Sequence, residues 1–244
     1  MNIVSFGGGA NSTAVIVGMA QKGIPIDLIL FADTGVEHPH TYQFIETMKA
    51  WLFDRGLPEI TTVRNVDKYG EILTLEMECL RSKSLPSIAY GYKKCSHKHK
   101  ISPLDKFCNN YPPCREVWAR GEKVFKFIGY DAGEQRRREN AMKSDLLDNK
   151  YIKQYPPIAW GWSREDCNRE IERAGLPLPG KSSCFFCPSM KKHEIEALRT
   201  QYPDLFNRAL AIEAAAMPNL TSVKGLGRNY SWQSLYTEGK ERTA

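Results

Sequence analysis

Ser5-Phe6-Gly7-Gly8-Gly9-Ala10-Asn11-Ser12-Thr13 follows the apolar pair Ile3-Val4 and reads as a strand that empties through a glycine turn into a helix. Several backbone N–H groups and the positive end of a helix then surround one point, which is a cradle for phosphate. The glycines let the main chain approach a ligand and take positive φ. No lysine closes the loop as in a Walker A motif, and the glycine spacing is not the dinucleotide fingerprint. A merely tight strand-to-helix turn is the plain alternative. Outward from the loop, Asn2 to Phe6 is a buried first strand, and Asn11 or Ser12 caps a helix whose apolar face holds Val15, Ile16, Met19 and Ala20. Asp27 to Phe31 is a second strand. Pro39 starts a helix carrying Tyr42, Ile45, Met48 and Leu52, and Glu59 to Val63 is a third strand. This alternation predicts an α/β fold with a parallel sheet and crossover helices.

The second strand runs into Phe31-Ala32-Asp33-Thr34-Gly35-Val36-Glu37, so polar groups again gather at a strand's carboxyl end, where open parallel sheets bind ligands. Asp33 is available there to a ribose hydroxyl or to Mg²⁺, or else serves as a turn residue. Leu80 to Asn110, rich in Lys, Ser, His and Pro, reads as loop with one short helix after Pro103. Val124 to Ile128 returns as a strand. A helix over Trp162 to Ala174 starts at Ser163, with Asp166 three residues on, and stops at Gly175. From Gly180 the pattern changes to a Cys184-Phe185-Phe186-Cys187 knuckle, two helices (Lys191 to Arg199 and Tyr202 to Ala216) and a polar tail from Thr237. The expected division is a nucleotide-binding α/β domain over 1–180 and a Cys-x-x-Cys knuckle with a helical C-terminal segment over 181–244.

A chain of 244 residues is long enough for one large domain, or one with an appendage. No apolar run approaches the roughly 20 residues that cross a bilayer, and the N-terminus has no basic leader, so the expected location is the cytoplasm, with no membrane partner. Thiols stay reduced there, and metal or redox chemistry becomes the leading use of the seven cysteines. Cys79 and Cys167 lie in helical patterns, and Cys108 and Cys114 flank an Asn-Asn-Tyr-Pro-Pro turn. All four read as small buried hydrophobes, with Cys114 in reserve as a ligand. The formal charge of +6 suits an anionic ligand, a nucleotide or a nucleic acid. Its densest runs are Lys93 to Lys100 and Arg136 to Arg138, of which at least one arginine is expected on a phosphate or sulfate.

Gly7-Gly8-Gly9-Ala10-Asn11-Ser12-Thr13-Ala14 resembles the pyrophosphate loop of the phosphoadenosine phosphosulfate (PAPS) reductase family and of the related N-type ATP pyrophosphatases, whose usual form is Ser-Gly-Gly-Lys-Asp-Ser. Phe31 to Gly35 with Glu37, Pro39, Thr41 and Tyr42 resembles the family's second-strand motif. Cys95 with Lys100, Pro103 and Leu104, then Gly129 leading to Arg136 and Arg137, then Tyr155 to Ile158 and Trp162 to Asp166, resemble its later segments in the same order. The resemblance covers about residues 1 to 190. It implies a Rossmann-like sheet of the adenine nucleotide alpha hydrolase type, with helices on both faces and a small helical C-terminal segment. It also implies a nucleotide site from Ser5, Gly7, Gly8, Gly9, Asn11, Ser12, Thr13, Asp33, Thr34, Gly35, Gly129, Arg136 and Arg137, with Asp33 and Arg136 in catalytic roles. Gly7, Ala10 and Asn11 replace the usual Ser, Lys and Asp, which shifts phosphate binding onto backbone amides and distant cations. No cysteine follows Cys187, where sulfonucleotide reductases carry their attacking thiol.

Two thiolates on one tight turn, Cys184 and Cys187, are the geometry that metal and iron–sulfur sites use. Cys95 is the third ligand that the resemblance implies. A [4Fe–4S] cluster on these three cysteines leaves one iron open. A Cys₃His zinc site with His97, His99 or His193 explains the same residues. The leading functional reading is an enzyme that splits ATP to AMP and pyrophosphate with Mg²⁺ and adenylates a tRNA or DNA base for sulfur transfer, served by a sulfur-donor protein and working as a homodimer. Two alternatives stand beside it: a PAPS or APS reductase using an external thiol, and a catalytically silent adenine-nucleotide sensor or nucleic-acid-binding module.

Overall fold

The computed structural model describes residues 1–86 and 93–237. Part of the loop expected between Leu80 and Asn110, and the polar tail beyond Thr237, lie outside the described residues. Strands β1 (Asn2–Phe6), β2 (Leu28–Asp33), β3 (Ile60–Arg64), β4 (Val124–Ile128) and β5 (Tyr151–Gln154) form one sheet in the order β3-β2-β1-β4-β5. β1 runs parallel to β2 and β4, with Val4 opposite Ile29 and Phe127, and β4 runs parallel to β5. The helices are α1 (Ala10–Gln21), α2 (Pro39–Phe53), α3 (Leu75–Ser82), α4 (Lys94–Ser96), α5 (Ser102–Asn110), α6 (Pro112–Ala119), α7 (Gln135–Leu146), α8 (Pro156–Ala159), α9 (Arg164–Arg173), α10 (Lys192–Gln201), α11 (Pro203–Ala216) and α12 (Trp232–Thr237). A π-helical turn, His97–Ile101, joins α4 to α5. Among the described residues no helix is long and apolar enough to cross a membrane.

By its packing the chain divides into two compact units. The first comprises Met1–Ala32, His38–Val63 and Pro103–Ser182. Because successive strand residues point to opposite faces, β1 feeds two cores at once. Val4 and Phe6 pack with Ile29, Phe31 and Phe127 against α1, α2 and α9 through Ile16, Met19, Met48, Leu52 and Ile171. Ile3, Leu28, Leu30 and Val124 pack on the other side against α5 and α6 through Leu104, Cys108, Cys114 and Val117. This is the Rossmann-like α/β sheet with helices on both faces, and its central strands are mostly apolar because most of both faces is covered; β2 is buried along its whole length.

The second unit comprises Asp33–Glu37, Arg64–Ser102 and Ser183–Ala244. Its core gathers Leu75 and Cys79 of α3, Ile195 and Leu198 of α10, Phe206, Ala209 and Ile212 of α11, and Phe185, Phe186 and Trp232. One buried carboxylate organises its far end. Glu213 is 1% exposed and accepts the backbone N–H groups of Leu226 and Trp232 on Oε1 (2.7 and 2.8 Å) and of Gln233 on Oε2 (3.0 Å).

The structure corrects several local expectations. α1 begins at Ala10 with Gly9 as its cap residue and no side-chain cap, so neither Asn11 nor Ser12 caps it. Ser12 instead accepts the Gly7 N–H and donates to the Gly9 carbonyl, both at 3.0 Å, and braces the turn from inside. The short helix expected after Pro103 is α5, but Lys94 to Ile101 before it is also helical rather than loop. β5 and α7 were not anticipated. The box at Ser163 and Asp166 does start α9, as expected.

Replacing Glu213 by Ala strands the two buried N–H groups of Leu226 and Trp232 and removes the carboxylate from that of Gln233, and the expected cost is about 3 kcal/mol or more. Urea unfolding followed by circular dichroism measures it. A loss below about 0.5 kcal/mol, the size of an ordinary surface change, would show that the carboxylate does not organise this end.

Candidate functional site

The first unit carries a cleft of about 720 Å³ at the carboxyl ends of β1 and β4. Its floor is Ser5, Gly7, Gly9, Ala10, Asn11 and Ser12, and one wall is Ile128, Gly129, Tyr130, Glu134 and Arg137. Arg164, Asn168 and the run Pro179 to Ser182 complete it. The first amides of α1 have no partner within the helix and point outward along its positive end. Gly8 takes φ +70, and a Cβ on it would meet the Thr41 methyl at 2.7 Å. Gly129 is the tighter constraint: a Cβ there would lie 2.6 Å from the carbonyl carbon of Asn11 and from the nitrogen of Ser12. The exit of β4 therefore touches the main chain of the loop directly.

Beside that contact, Asn11 donates its Nδ2 to Asp131 Oδ2 at 2.9 Å and to Glu134 Oε2 at 2.8 Å. Asp131 and Glu134 form the capping box of a short 3₁₀ turn, Ala132–Glu134, that leads into α7. Arg137, one turn on, donates to Glu134 Oε1 at 2.8 Å and lies over the Tyr130 ring at 4.1 Å. Arg164 approaches Asp131 at 3.8 Å. The cleft thus presents amides, guanidinium groups and Lys181 together with the Glu134 carboxylate, while Asp131 is buried beside it.

Of the residues expected at the nucleotide, Ser5, Gly7, Gly9, Asn11, Ser12, Gly129 and Arg137 line this cleft. Gly8 and Thr13 support it from behind; Thr13 is fully buried and donates its hydroxyl to the Gly9 carbonyl at 3.0 Å. Arg136 is exposed and is not among the lining residues. The residues missed in the sequence are Tyr130, Asp131, Glu134, Asn168 and Lys181. The signal for two of them was present, since an acidic residue three positions after Asp131 marks a helix start.

Asp33, Thr34 and Gly35 belong to the second unit. Asp33 is 4% exposed; its Oδ1 accepts the Gly35 N–H at 2.8 Å and its Oδ2 pairs with Arg64 Nε at 2.9 Å. It acts as a turn residue and as an ion-pair partner. Thr34 donates to Glu37 Oε1 at 3.2 Å and lies 3.5 Å from Cys184 Sγ. The Glu37 side chain is fully buried and pairs with Lys100 Nζ at 2.8 Å. Glu37 and Cys184 bridge as antiparallel partners, and the Phe185 N–H reaches the Val36 carbonyl at 2.9 Å.

Cys95, Cys184 and Cys187 are half-buried on one apolar cluster of this unit. The Cys187 N–H closes a turn onto the Cys184 carbonyl at 3.1 Å. Burial pushes the Cys184 thiol up, and the Glu37 charge adds to it against the opposing Lys100. Burial also raises Cys95, with Cys187 reinforcing the effect. Cys79, on the same cluster, is pushed up to about 12 by burial and by Glu78. Among the described residues no three His, Cys, Asp or Glu side chains converge closely enough to hold a metal as they stand. A soft, three-thiol donor set gathered in one unit still fits a thiophilic centre, because a bound cation removes the thiol protons that burial retains. Cys114, held in reserve as a ligand, is instead fully buried in the first unit's core, 3.7 Å from the Met1 sulfur.

Of the three histidines considered as a fourth ligand, His97 and His193 are exposed. His99 is 1% exposed, its Nε2 lies 2.6 Å from Glu78 Oε2, and its Nδ1 has no hydrogen-bond partner among the described residues. Burial lowers the His99 pKa against the pull of Glu78, so the ring stays neutral and donates from Nε2. Burial pushes the Glu78 pKa up, but the hydrogen bonds from Lys98 and His99 outweigh it and the net shift is downward.

A family model described as the phosphoadenosine phosphosulfate reductase domain matches residues 1–178. An uncharacterized protein of Methanocaldococcus jannaschii, MJ0066, is 26% identical over 227 residues, covering 84% of this chain and 40% of its own length. The uncharacterized nin region protein ORF290 of Escherichia phage lambda is 27% identical over 207 residues, 77% of this chain and 65% of that protein. The chain therefore spans about two fifths to two thirds of the length of these relatives. Among solved structures, the U34-tRNA thiolase NcsA from Methanococcus maripaludis with its [4Fe-4S] cluster aligns at TM-score 0.44 and 14% identity, over 86% of this chain and 70% of that one.

Two measurements test the site. Gly129→Ala forces β4 off the loop backbone and is expected to cost about 1–3 kcal/mol, as overpacking does; an unchanged urea midpoint would remove the close approach from the account. The second concerns pH. Folded His99 binds its proton less tightly than the unfolded chain does, so its contribution is present above the ordinary histidine value of 6.5 and is lost as pH falls below it. Glu78, with its lowered pKa, adds a further loss below 4.5. The melting temperature should fall between pH 8 and pH 5, and His99→Gln should flatten that fall; equal slopes in the two proteins would contradict it.

Proposed function

We propose a reaction for this chain on the premise that it belongs to the phosphoadenosine phosphosulfate reductase domain family. The first unit's cleft binds ATP, with its phosphates on the amides of residues 7–12 and on Arg137 and Lys181. An oxygen of the acceptor attacks the α-phosphorus; the bond to the bridging oxygen breaks, and pyrophosphate leaves with the electron pair. The products are an adenylated acceptor and pyrophosphate. Charge grows on the departing oxygens, and amides and cations already fixed around them stabilise it without reorganising. The acceptor is a base of tRNA or DNA, which the adenylate activates for replacement of its oxygen by sulfur. Cys95, Cys184 and Cys187 would hold a [4Fe–4S] cluster, or Zn²⁺ in its place. The group supplies a soft site for sulfur brought by a donor protein. In the cytoplasm, two copies of the chain would work together.

The observation that carries this reading is the coincidence of a glycine loop, the Gly129 strand end and Arg137 around one cleft at the carboxyl ends of β1 and β4. Asp33 is then a positioning carboxylate that holds the Thr34-Gly35 turn, and Arg136, which does not line the cleft, yields the phosphate role to Arg137, which does. Family membership also favours a second reading, reduction of PAPS or APS by an external thiol. Burial raises the chain's own Cys184 and Cys95 thiols, and the thiolate is the form that attacks, so that reading depends on the external thiol rather than on either of them.

The test is direct. Protein purified without oxygen should show a broad band near roughly 400 nm and, given ATP, Mg²⁺ and bulk tRNA, should release pyrophosphate while AMP stays on the acceptor, with AMP following once sulfide is added as the sulfur source. Arg137→Ala should weaken ATP binding about 10- to 100-fold, the scale of a charge-assisted hydrogen bond. Sulfite release from PAPS without pyrophosphate release would transfer the assignment to the reductase. Absence of any adenine-nucleotide binding would end both.

A further inference from the structure

Residues 176–182, which follow α9, belong to no helix or strand, yet Pro179 to Ser182 complete the cleft of the first unit. Something other than a ladder must seat them. One tie comes from the first turn of α2, where His40 Nε2 lies 3.1 Å from the Lys181 carbonyl oxygen. A carbonyl has no proton to give, so Nε2 carries the hydrogen and donates it.

The His40 ring is itself fixed on two sides. It stacks on the ring of the buried His38, with centroids 5.1 Å apart and planes 21° apart. Its other neighbour is main chain: a Cβ on Gly180 would lie 2.5 Å from His40 Cδ2 and 2.6 Å from its Nε2. Two residues on, Ser182 packs on Gly9, where a Cβ would lie 2.8 Å from Ser182 Oγ and 3.9 Å from the Ser182 nitrogen. Gly180 thus admits the ring, and Gly9 lets Ser182 down onto the floor of the cleft.

The direction of one peptide follows from this seating. In a planar trans peptide the carbonyl and the N–H point opposite ways. With the Lys181 carbonyl on His40, the Ser182 N–H is turned away from the ring. It has no hydrogen-bond partner among the described residues, and Ser182 lines the cleft together with the loop amides. Main-chain donors in folded protein are nearly always paired, so one left open at a cleft is available to a ligand.

We propose that His40 is a positioning residue for the phosphate cradle: its hydrogen bond to the Lys181 carbonyl turns the Ser182 N–H toward the cleft as one more main-chain donor to a phosphate oxygen. Ala10 brings no charge to the loop, so each further donor fixed in advance adds to what holds the phosphates. His40 itself does not touch the nucleotide. The inference deepens the nucleotide reading above and rests on it for the identity of the anion.

Isothermal titration of the full chain with ATP and with adenosine tests the claim in the parent, His40→Phe and His40→Gln. His40→Phe keeps a ring against His38 and Gly180 but donates nothing; it is expected to weaken ATP about tenfold, the scale of one hydrogen bond to a charged group, and to leave adenosine within about twofold. His40→Gln carries an Nε2 donor and should recover most of the ATP affinity. In the ¹⁵N-labelled parent the Ser182 amide proton should move downfield when ATP binds, and this readout decides the claim even should His40→Phe not fold. Equal ATP affinity in the parent and His40→Phe, equal losses for ATP and adenosine, or a Ser182 amide that does not respond to bound ATP would overturn the positioning role and leave a plain structural tie. A parent protein that binds no ATP removes the nucleotide reading, whereas ATP bound equally by all three proteins removes only the role of His40.

Discussion

The exit of β4 meets the first turn of α1 backbone to backbone, and position 129 has room for hydrogen alone. A parallel sheet sets this up by ending neighbouring strands at the same level, which puts two loops side by side. What it does not set is how near the loops come. With a side chain at 129 the loop amides would sit farther from Tyr130 and Asp131, and Asn11 would not span to Asp131 and Glu134 at 2.9 and 2.8 Å. The same approach sets where α7 starts, and therefore which of its arginines faces the cleft. The chemistry at this end of the sheet descends from one absent Cβ.

Charge at the cleft is distributed differently from what a lysine in the glycine loop would give. Ala10 contributes nothing but its amide, and Asn11 contributes no charge. Positive charge arrives from three other places: Arg137 on α7, Arg164 on α9 and Lys181 on the irregular run that follows α9. Fixed amides and a helix end cost no rearrangement when a phosphate arrives, whereas long side chains lose rotamer freedom on binding. Glu134 limits that loss for Arg137 by holding its guanidinium at 2.8 Å, and the Tyr130 ring supports it from the flank. Substrate selectivity would then depend on α7 and α9 more than on the loop.

The first sixty residues were legible because each signal there is local and redundant: apolar strands, glycine punctuation, proline at a helix start and a clean helical period agree with one another. The helical turns from Lys94 to Ile101 were not, since their Lys, Ser and His residues have no apolar stripe wide enough to show, and the π turn at His97–Ile101 departs from the helical period. β5 is a four-residue edge strand with one buried tyrosine, too short for alternation to register. The choice between Arg136 and Arg137 depends on about 100° of helix rotation, and that phase is fixed by the capping box at Asp131 rather than by the run of arginines. Asp33 was read correctly as a strand-end carboxylate, yet its two engagements, with the Gly35 amide and Arg64, depend on residues 2 and 31 positions away and only the nearer is visible in sequence.

In the second unit, Glu37 decides how the thiols can behave. Its carboxylate is held without exposure by Lys100 and by the Thr34 hydroxyl, and that hydroxyl also reaches Cys184. A negative charge so placed makes a second one on Cys184 costly, and the apolar wall of Phe185 and Phe186 adds to that cost. The thiol therefore keeps its proton until something more positive than Lys100 arrives. A thiophilic cation would meet that demand, and its uptake must expel protons from Cys184 and Cys95 in proportion to the thiolates it binds. The buried Glu37 charge and the apolar wall thus keep Cys184 quiet as a nucleophile, and a ligand role for it would require a partner able to displace the proton outright.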